Sequence, residues 1–324
     1  MDYQSKWEKQ QWRPKKVIYE PTDEPLSAST GLGPLIDAFV DSPEFEEFVA
    51  CLPKRISNAS YSSEQLALMI LCGFWYGHDS LDDLEEFEDD PSVEDKVGGL
   101  AKSKTLGNFL RDFEPEHIER LRKFLSRQAF HYRKRISGEN TSITFDFDST
   151  FHEQSAKKMQ AIAMNRDGLV GLDSLHCFDD KGFSYDMLLR SGNTFSSENS
   201  ENMVTHVMEQ ITNRHEIQHF FRTDSAFTKE DFLRAAMAKS LKGTTTAHGN
   251  SKWESHIGEV IEWKPWIYTE KEIKKSLESG KPLPVVDIGI MNYEPGWAEG
   301  TTYPIVMPTE PPSAALPSIM QVIP

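Results

Sequence analysis

Two aspartates, each at the exit of an apolar stretch, are the residues of this chain best placed to do chemistry. Residues 141–150 read Thr-Ser-Ile-Thr-Phe-Asp-Phe-Asp-Ser-Thr, with Ile143, Phe145 and Phe147 alternating with Thr144, Asp146 and Asp148. That is the period-two pattern of a half-buried strand, so the two carboxylates share one face and the apolar side chains the other. An acid at the end of a core strand is held by a rigid element yet open to solvent, which suits a ligand for a hard divalent cation. The same ten residues read equally well as a strand entering a turn, with Asp148, Ser149 and Thr150 as capping groups. Residues 217–227, Ile-Gln-His-Phe-Phe-Arg-Thr-Asp-Ser-Ala-Phe, repeat the pattern with Asp224 at the exit. Thr228-Lys-Glu-Asp then has the form of a helix N-cap. If the two strands are neighbours in one sheet, the two acids meet.

The composition sets limits on what those acids serve. A chain of 324 residues can bury a sizeable core and form two domains. No apolar run approaches the roughly 20 residues needed to span a bilayer, and Met-Asp-Tyr-Gln-Ser-Lys-Trp-Glu-Lys at the start has no signal-peptide core. A cytoplasmic location is expected. Cys51, Cys72 and Cys177 show no C-x-x-C and no Cys/His spacing, which points away from a disulfide framework and from a zinc site. The net charge of −16 argues against a protein that coats nucleic acid non-specifically. Much of that charge sits in the acid-rich run from Asp79 to Asp95, so basic patches elsewhere are compatible with it.

Taken in order, the elements that must position the acids fall into five segments. Residues 1–30 carry Lys6, Lys9, Arg13, Lys15 and Lys16 without an apolar period and read as a mobile basic arm. Residues 31–138 are helical in pattern: Leu32 to Val40, Phe45 to Leu52 after Asp41-Ser-Pro, Leu66 to Phe74 behind Ser62 and Ser63, and a long stretch opened by Pro115. In the acidic run, Leu81, Leu84 and Phe87 mark a short helix with solvated outer faces. The long helix carries Ile118, Leu121, Leu125 and Phe130 on one side, surrounded by Arg120, Arg122, Lys123, Arg127, Arg133, Lys134 and Arg135. Those cations read either as phosphate contacts or as a solvated face.

From 139 to 248 the texture changes to α/β. The Asp148 strand is followed by a hairpin of 171–178 and 183–189 around Asp179-Asp-Lys-Gly, then by a helix at 198–213 and a strand at 217–223. A helix at 228–240 and a strand at 241–247 complete it. This order predicts an antiparallel edge joined to parallel crossovers. Residues 249–307 alternate strand-like segments with a charged helical one near Thr269 to Glu278, and the Pro-rich 308–324 read as a tail. His248, Glu254 and His256 fit no standard ligand spacing.

With Asp148, the hairpin, the helix and Asp224 in this order, the chain resembles bacterial insertion-sequence transposases with a ribonuclease H-like DDE catalytic core. Phe145-Asp-Phe-Asp-Ser-Thr, Leu188-Leu-Arg-Ser-Gly-Asn and Phe221-Arg-Thr-Asp-Ser-Ala-Phe fit that family's D-S-T strand, L-R-x-G-N strand end and R-x-D-S strand. Asp89-Asp-Pro and Thr105-Leu-Gly-Asn-Phe look like its N-terminal part. The resemblance implies attack on DNA phosphodiesters by water or a 3′-hydroxyl, with two Mg2+ ions (or Mn2+) about 3.5–4 Å apart held by three carboxylates. By residue-to-residue match Asp148 is the first carboxylate and Asp224 the second; Asp146 and Arg222 are auxiliary, Arg222 as a phosphate contact or a structural ion pair. DNA, as terminal inverted repeats and target, is the implied partner, with a homodimer on paired ends.

The chain also departs from the family. The third carboxylate of the family is a Glu in a Y-x-x-R-x-x-x-E helix beyond a strand-rich insertion, and no such motif follows Asp224. The stretch from 250 to 307, including Tyr293-Glu-Pro-Gly-Trp, resembles the insertion, and Glu254, Glu259 and Glu262 lie before or inside it. The expectation is a C-terminally truncated transposase with an incomplete ribonuclease H-like core and little or no strand transfer. The alternatives are a non-catalytic DNA-binding or transposase-modulating protein, and a nuclease that works with two acids.

Overall fold

The period-two stretch that carries Asp148 is the centre of a mixed sheet. The computed structural model describes residues 27–324 apart from 57–58, 89, 138–141, 156–158, 212–216, 248–259, 261–262, 266, 284–286, 295–299, 301, 309–317 and 323–324. The expectations placed on the basic arm up to residue 26, on His248, Glu254, His256, Glu259 and Glu262, on Asp89, and on the Pro-Gly-Trp of 295–297 therefore lie outside the described residues.

Among the described residues ten strands form the sheet: β1 (Ile143–Glu153), β2 (Ala163–Met164), β3 (Val170–Asp179), β4 (Ser184–Ser191), β5 (His219–Thr223), β6 (Lys242–Ala247), β7 (Trp263–Pro265), β8 (Asp287–Tyr293), β9 (Tyr303–Pro308) and β10 (Ser318–Val322). Their order is β2-β3-β1-β5-β6-β10-β9-β8-β7, with β4 paired to β3. β3 runs antiparallel to β1 and β4 antiparallel to β3, whereas β5 and β6 join β1 in parallel. The series β4-β3-β1-β5-β6 is the ribonuclease H-like arrangement. It follows from the sequence order, because a four-residue turn can link only antiparallel neighbours and a helical crossover returns the chain parallel.

Alternation decides which face is buried. Ile143, Phe145 and Phe147 are 2%, 0% and 3% exposed and face a core shared with Leu175, Met203, Val207, Phe221, Phe232 and Leu233. Three helices supply the other side of that core: α6 (Pro115–Ser137), α7 (Ser200–Gln210) and α8 (Glu230–Ala238). Phe232 of α8 meets Phe147 edge-on at 5.3 Å between ring centroids. Each such side chain contributes roughly 1.5–3 kcal/mol by leaving water, so the register of β1 is strongly held; a one-residue slip would expose all three apolar groups. Asp146 and Asp148 are thereby committed to the opposite face.

The strand-rich segment continues the sheet beyond β6, and the charged stretch inside it is a helix, α9 (Glu270–Ser279), opened by a Thr269/Glu272 capping box. One expectation is corrected here. Part of the segment read as a tail is β10, which pairs antiparallel with β6 from Ser318↔Ala247 to Val322↔Gly243 and also with β9. The prolines at 308, 311, 312 and 317 masked the signal, although Ile319, Met320 and Val322 suit a strand, and β10 satisfies backbone groups of β6 that would otherwise form an open edge.

The chain divides into two compact units, residues 1–45 with 54–112, and residues 46–53 with 113–324. The division falls at Asp112/Phe113, so α6 belongs to the unit with the sheet; the sequence pattern had grouped it with the N-terminal helices. Its Ser126 hydroxyl donates to the carbonyl of Tyr185 in β4 at 2.6 Å.

The first unit is helical as expected: α1 (Leu32–Val40), α3 (Ser63–Tyr76), α4 (Pro91–Val97) and α5 (Ser103–Arg111), with α2 (Pro43–Val49) at the division. α3 begins at a Ser62/Gln65 capping box and ends at Gly77, whose φ of +98° is the left-handed conformation glycine tolerates. Within the acidic run Leu84 and Phe87 are buried by a 3-10 turn, Asp83–Phe87.

Asp90 caps α4 and accepts from Ser92 N at 2.9 Å, Ser27 Oγ at 2.8 Å and Ser29 Oγ at 2.7 Å. Burial alone would raise its carboxyl, but these donors hold it below the usual range. Asp90→Ala is expected to cost about 1–2 kcal/mol at neutral pH. A depressed carboxyl stabilises above its unfolded pKa of about 3.9 and stops doing so as pH falls through the folded value. Urea unfolding at several pH values should therefore show the difference between wild type and variant shrinking on the acid side.

Candidate active site

β1 and β5 are parallel neighbours in register from Ile143↔His219 to Phe147↔Thr223. The next residue on each strand is an aspartate, Asp148 and Asp224, so the two acids that lie 76 positions apart in the chain arrive side by side. β5 stops there, and Asp224 caps a 3-10 turn, Ser225–Phe227, with its Oδ1 accepting from Ala226 N at 2.9 Å. Asp148 Oδ1 accepts from Ser149 N at 2.8 Å. Both side chains are exposed. The corner at Asp224 is braced from β6, where the buried Thr245 donates its hydroxyl to the Asp224 carbonyl at 2.9 Å.

One oxygen of each carboxylate is thus fixed by a backbone N–H, which leaves the other available to a cation. Two hard oxygen donors on rigid strand ends, open to solvent, fit Mg2+ or Mn2+ as partial ligand sets. Among the described residues no group of three His, Cys, Asp or Glu is placed to hold a metal ion. What the described residues bring together at the two strand ends is the Asp148–Asp224 pair.

Asp146 lies two residues before Asp148 on the same face, opposite Arg222. The Arg222 guanidinium binds it in bidentate fashion, with Nε and Nη2 each at 2.7 Å, and these bonds raise the arginine's pKa. Both proposed auxiliaries thus engage each other. Because the pair is solvent-exposed, Arg222→Ala is expected to lower stability by no more than about 1 kcal/mol, a figure that thermal unfolding of the variant would check.

The cations of α6 do not act as one surface. Arg133 is 1% exposed, with Nε 3.0 Å from Asp179 Oδ2 and Nη2 3.0 Å from Asp180 Oδ1. Its expected role as a DNA contact is corrected: it faces the β3–β4 turn, because that side of α6 packs on the sheet. Arg127 pairs with Glu47, and Lys123 lies 3.4 Å from Glu119. Arg120 and Arg135 are exposed and Lys134 is half-buried, so these three keep the geometry of solvent-facing cations; Arg135 stands 5.7 Å over the Tyr132 ring.

Sequence reasoning passed over a cluster on the same open face. Ser174 and His176 of β3 lie opposite Thr150 and Asp148. The Ser174 hydroxyl is 2.7 Å from Nε2 of both His152 and His176. Burial and the neighbouring His152 push His176 below its ordinary pKa, against the pull of Asp148 and Asp173. The only signal in the sequence was parity, since Ser174 and His176 alternate with core residues.

A family model described as transposase DDE domain group 1 matches residues 15–279. No curated protein matches the sequence. Among solved structures, a piggyBac transposase in a synaptic complex with hairpin DNA shares 13% identity over 90% of this chain and 60% of that one, with a TM-score of 0.39. The chain therefore spans about 60% of the length of that relative. A Mos1 strand transfer complex shares 12% identity over 70% of this chain and 73% of that one (TM-score 0.22), and a Mos1 paired-end complex 11% over 79% and 90% (TM-score 0.22). Scores of that size leave the assignment resting on the family model, which spans most of the sequence and both aspartates. The chain belongs to the DDE-domain transposases, group 1.

Proposed function

We propose that this protein acts on DNA phosphodiesters as an insertion-sequence transposase, with Asp148 and Asp224 as the carboxylates that hold Mg2+ or Mn2+. The observation that carries the reading is the juxtaposition of the two acids at the ends of adjacent parallel strands, each with one oxygen fixed by a backbone N–H. A bound divalent ion would supply charge stabilisation of attacking and leaving oxygens. The protein's own contribution is rigidity: Thr245 braces the Asp224 corner, and the Asp146–Arg222 pair keeps a third nearby acid neutralised. Arg120, Lys134 and Arg135 are the α6 cations proposed to meet DNA backbone. Terminal inverted repeats and target DNA are the proposed substrates, a second copy on paired ends the proposed partner, and the cytoplasm the proposed compartment.

With two acids brought together among the described residues and no Y-x-x-R-x-x-x-E motif between Asp224 and Pro324, these residues by themselves are expected to bind metal weakly and to carry out little strand transfer. The test is thermal unfolding and plasmid nicking with and without Mn2+, on the wild type and on the Asp148→Asn/Asp224→Asn double variant. At about ten times its dissociation constant, Mn2+ should stabilise the wild type by about 1.4 kcal/mol and the double variant negligibly. Equal stabilisation of both would sink the metal assignment, and efficient strand transfer by the wild type would refute the impairment.

A second reading, a non-catalytic DNA-binding or transposase-modulating protein, is favoured by the absence of a three-acid group among the described residues. Gel shifts that survive the double substitution, with no nicking by the wild type under any metal, would select it.

A further inference from the structure

The helical unit holds a cavity of about 110 Å3 between the C-terminal half of α3 and the segment that follows it. Ile70, Phe74, Leu81 and Leu84 give it apolar walls, and His78 and Ser80 are polar groups of its lining. The walls are fixed by close packing, since a Cβ on Gly73 of α3 would collide with Leu84 of the 3-10 turn. Asp83 Oδ2 accepts from Asp79 N at 3.1 Å and Ser80 N at 2.8 Å, which pins the chain at the mouth.

His78 is the lining group that lacks what its chemistry requires. Its side chain is 8% exposed, and neither ring nitrogen has a hydrogen-bond partner among the described residues. Glu86 Oε2 stands 3.5 Å from Nε2 without the geometry of a hydrogen bond. The ring lies against Phe87 and Tyr76, at 4.9 and 5.1 Å between centroids, so a turn towards water would break both contacts. A buried polar group without a partner is destabilising, and a ligand that supplies the partner recovers that loss.

Size and chemistry narrow the occupant. An enclosed cavity of roughly 150 Å3 holds a benzene ring. This one, with Phe74, Asp79 and Ser80 exposed at its rim, admits a six-membered ring and is too small for an indole. The apolar walls suit the ring, and His78 calls for a polar tip. A phenol oxygen both donates and accepts, so it can meet an imidazole nitrogen in either tautomer. Around the mouth the charge is of one sign: Asp79, Asp82 and Glu86 are exposed, and none of them pairs with a lysine or arginine among the described residues. Such a rim attracts cationic partners and repels acidic ones.

We propose that this cavity is a docking site for a tyrosine side chain on a lysine-rich segment of a partner protein, with the phenol hydroxyl on His78 and the lysines on the acidic rim. The site uses none of the residues of the strand-end acid pair and does not depend on the DNA reading.

The test titrates the 15N-labelled full chain with the peptide acetyl-Lys-Lys-Tyr-Lys-Lys-amide, and with counterparts carrying Phe for Tyr or Glu for each Lys. It reads dissociation constants and the amides that shift. The Tyr peptide should move amides within residues 70–88 and bind about tenfold tighter than the Phe peptide. The Glu peptide should bind at least about tenfold more weakly than the Tyr peptide. His78→Phe should bring the Tyr and Phe peptides within about twofold of each other. Asp82→Asn/Glu86→Gln should weaken the Tyr peptide about threefold and keep its preference over Phe. The three peptides on the wild type decide the matter even where His78→Phe does not fold. Equal affinity of the Tyr and Phe peptides for the wild type, shifts centred outside residues 70–88, or no binding at millimolar peptide would each overturn the site. Shifts of the same amides with protein concentration alone would mean that a second copy fills the cavity and would overturn the lysine-rich partner.

Discussion

Arg133→Met is expected to lower stability by about 3–5 kcal/mol, because it strips the partner from a buried carboxylate. Asp179 is 3% exposed and Asp180 sits at the mouth of the same turn. Asp179 also accepts from Lys181 N at 2.8 Å, Phe183 N at 3.0 Å and the Tyr185 hydroxyl at 3.3 Å. It therefore organises the β3–β4 turn, and burial together with Asp179 pushes the Tyr185 phenol well above its ordinary pKa. The Arg133 hydrogen bond also holds Asp180 low, although burial acts the other way. Urea unfolding of the variant is the measurement. A loss below about 1 kcal/mol would mean that the turn N–H groups and Tyr185 satisfy Asp179 without the arginine.

Arg190→Met should cost a similar amount, about 3–5 kcal/mol, for a related reason. Arg190 is 8% exposed and meets the buried Asp173 of the adjacent strand, with Nε at 2.7 Å from Oδ1. Its Nη1 donates to the carbonyls of Ser196 at 3.2 Å and Glu198 at 2.5 Å. One guanidinium thus joins β3, β4 and the loop that leads into α7. Beyond the global loss, amide exchange should speed up around residues 196–200, where the anchored carbonyls lie. Arg190→Lys is expected to fall between the two, since a single ammonium cannot reproduce a planar fork that serves a carboxylate and two carbonyls. Unchanged exchange in the loop of the methionine variant would show that the loop holds itself, through Ser200 Oγ on the Ser197 carbonyl at 2.6 Å, Ser200 N on the same carbonyl at 3.1 Å and Glu198 N on the Phe195 carbonyl at 2.9 Å.

The two arginines illustrate what a motif means. Leu188-Leu-Arg-Ser-Gly-Asn was legible as a family signature, yet the arginine within it is a buried brace rather than a group open to substrate. Gly192 in the same motif is required by close approach: a Cβ there would stand 2.1 Å from the Gly171 carbonyl. In α6, seven cations looked alike in sequence, and only packing separates buried Arg133 from exposed Arg120 and Arg135. A helix period tells which side is apolar, but a long arginine on the flank of that stripe can turn inward when a carboxylate waits there.

Local order was readable because it is encoded locally. Alternation around Phe145 and Phe147 set β1 and the face of Asp146 and Asp148, Asp179-Asp-Lys-Gly set the hairpin, and Ser62 with Gln65 set the start of α3. Strand pairing between distant segments has no comparable signature. That β1 and β5 are parallel neighbours in the register that aligns Asp148 with Asp224, that β10 completes the edge of β6, and that Ser174 draws His152 and His176 together were decided by the tertiary structure. The sequence by itself determined which residues alternate, cap and turn, since those preferences act within a few residues. The fold alone decided which of these residues meet, since contacts between distant strands and helices depend on how the whole apolar surface is buried at once.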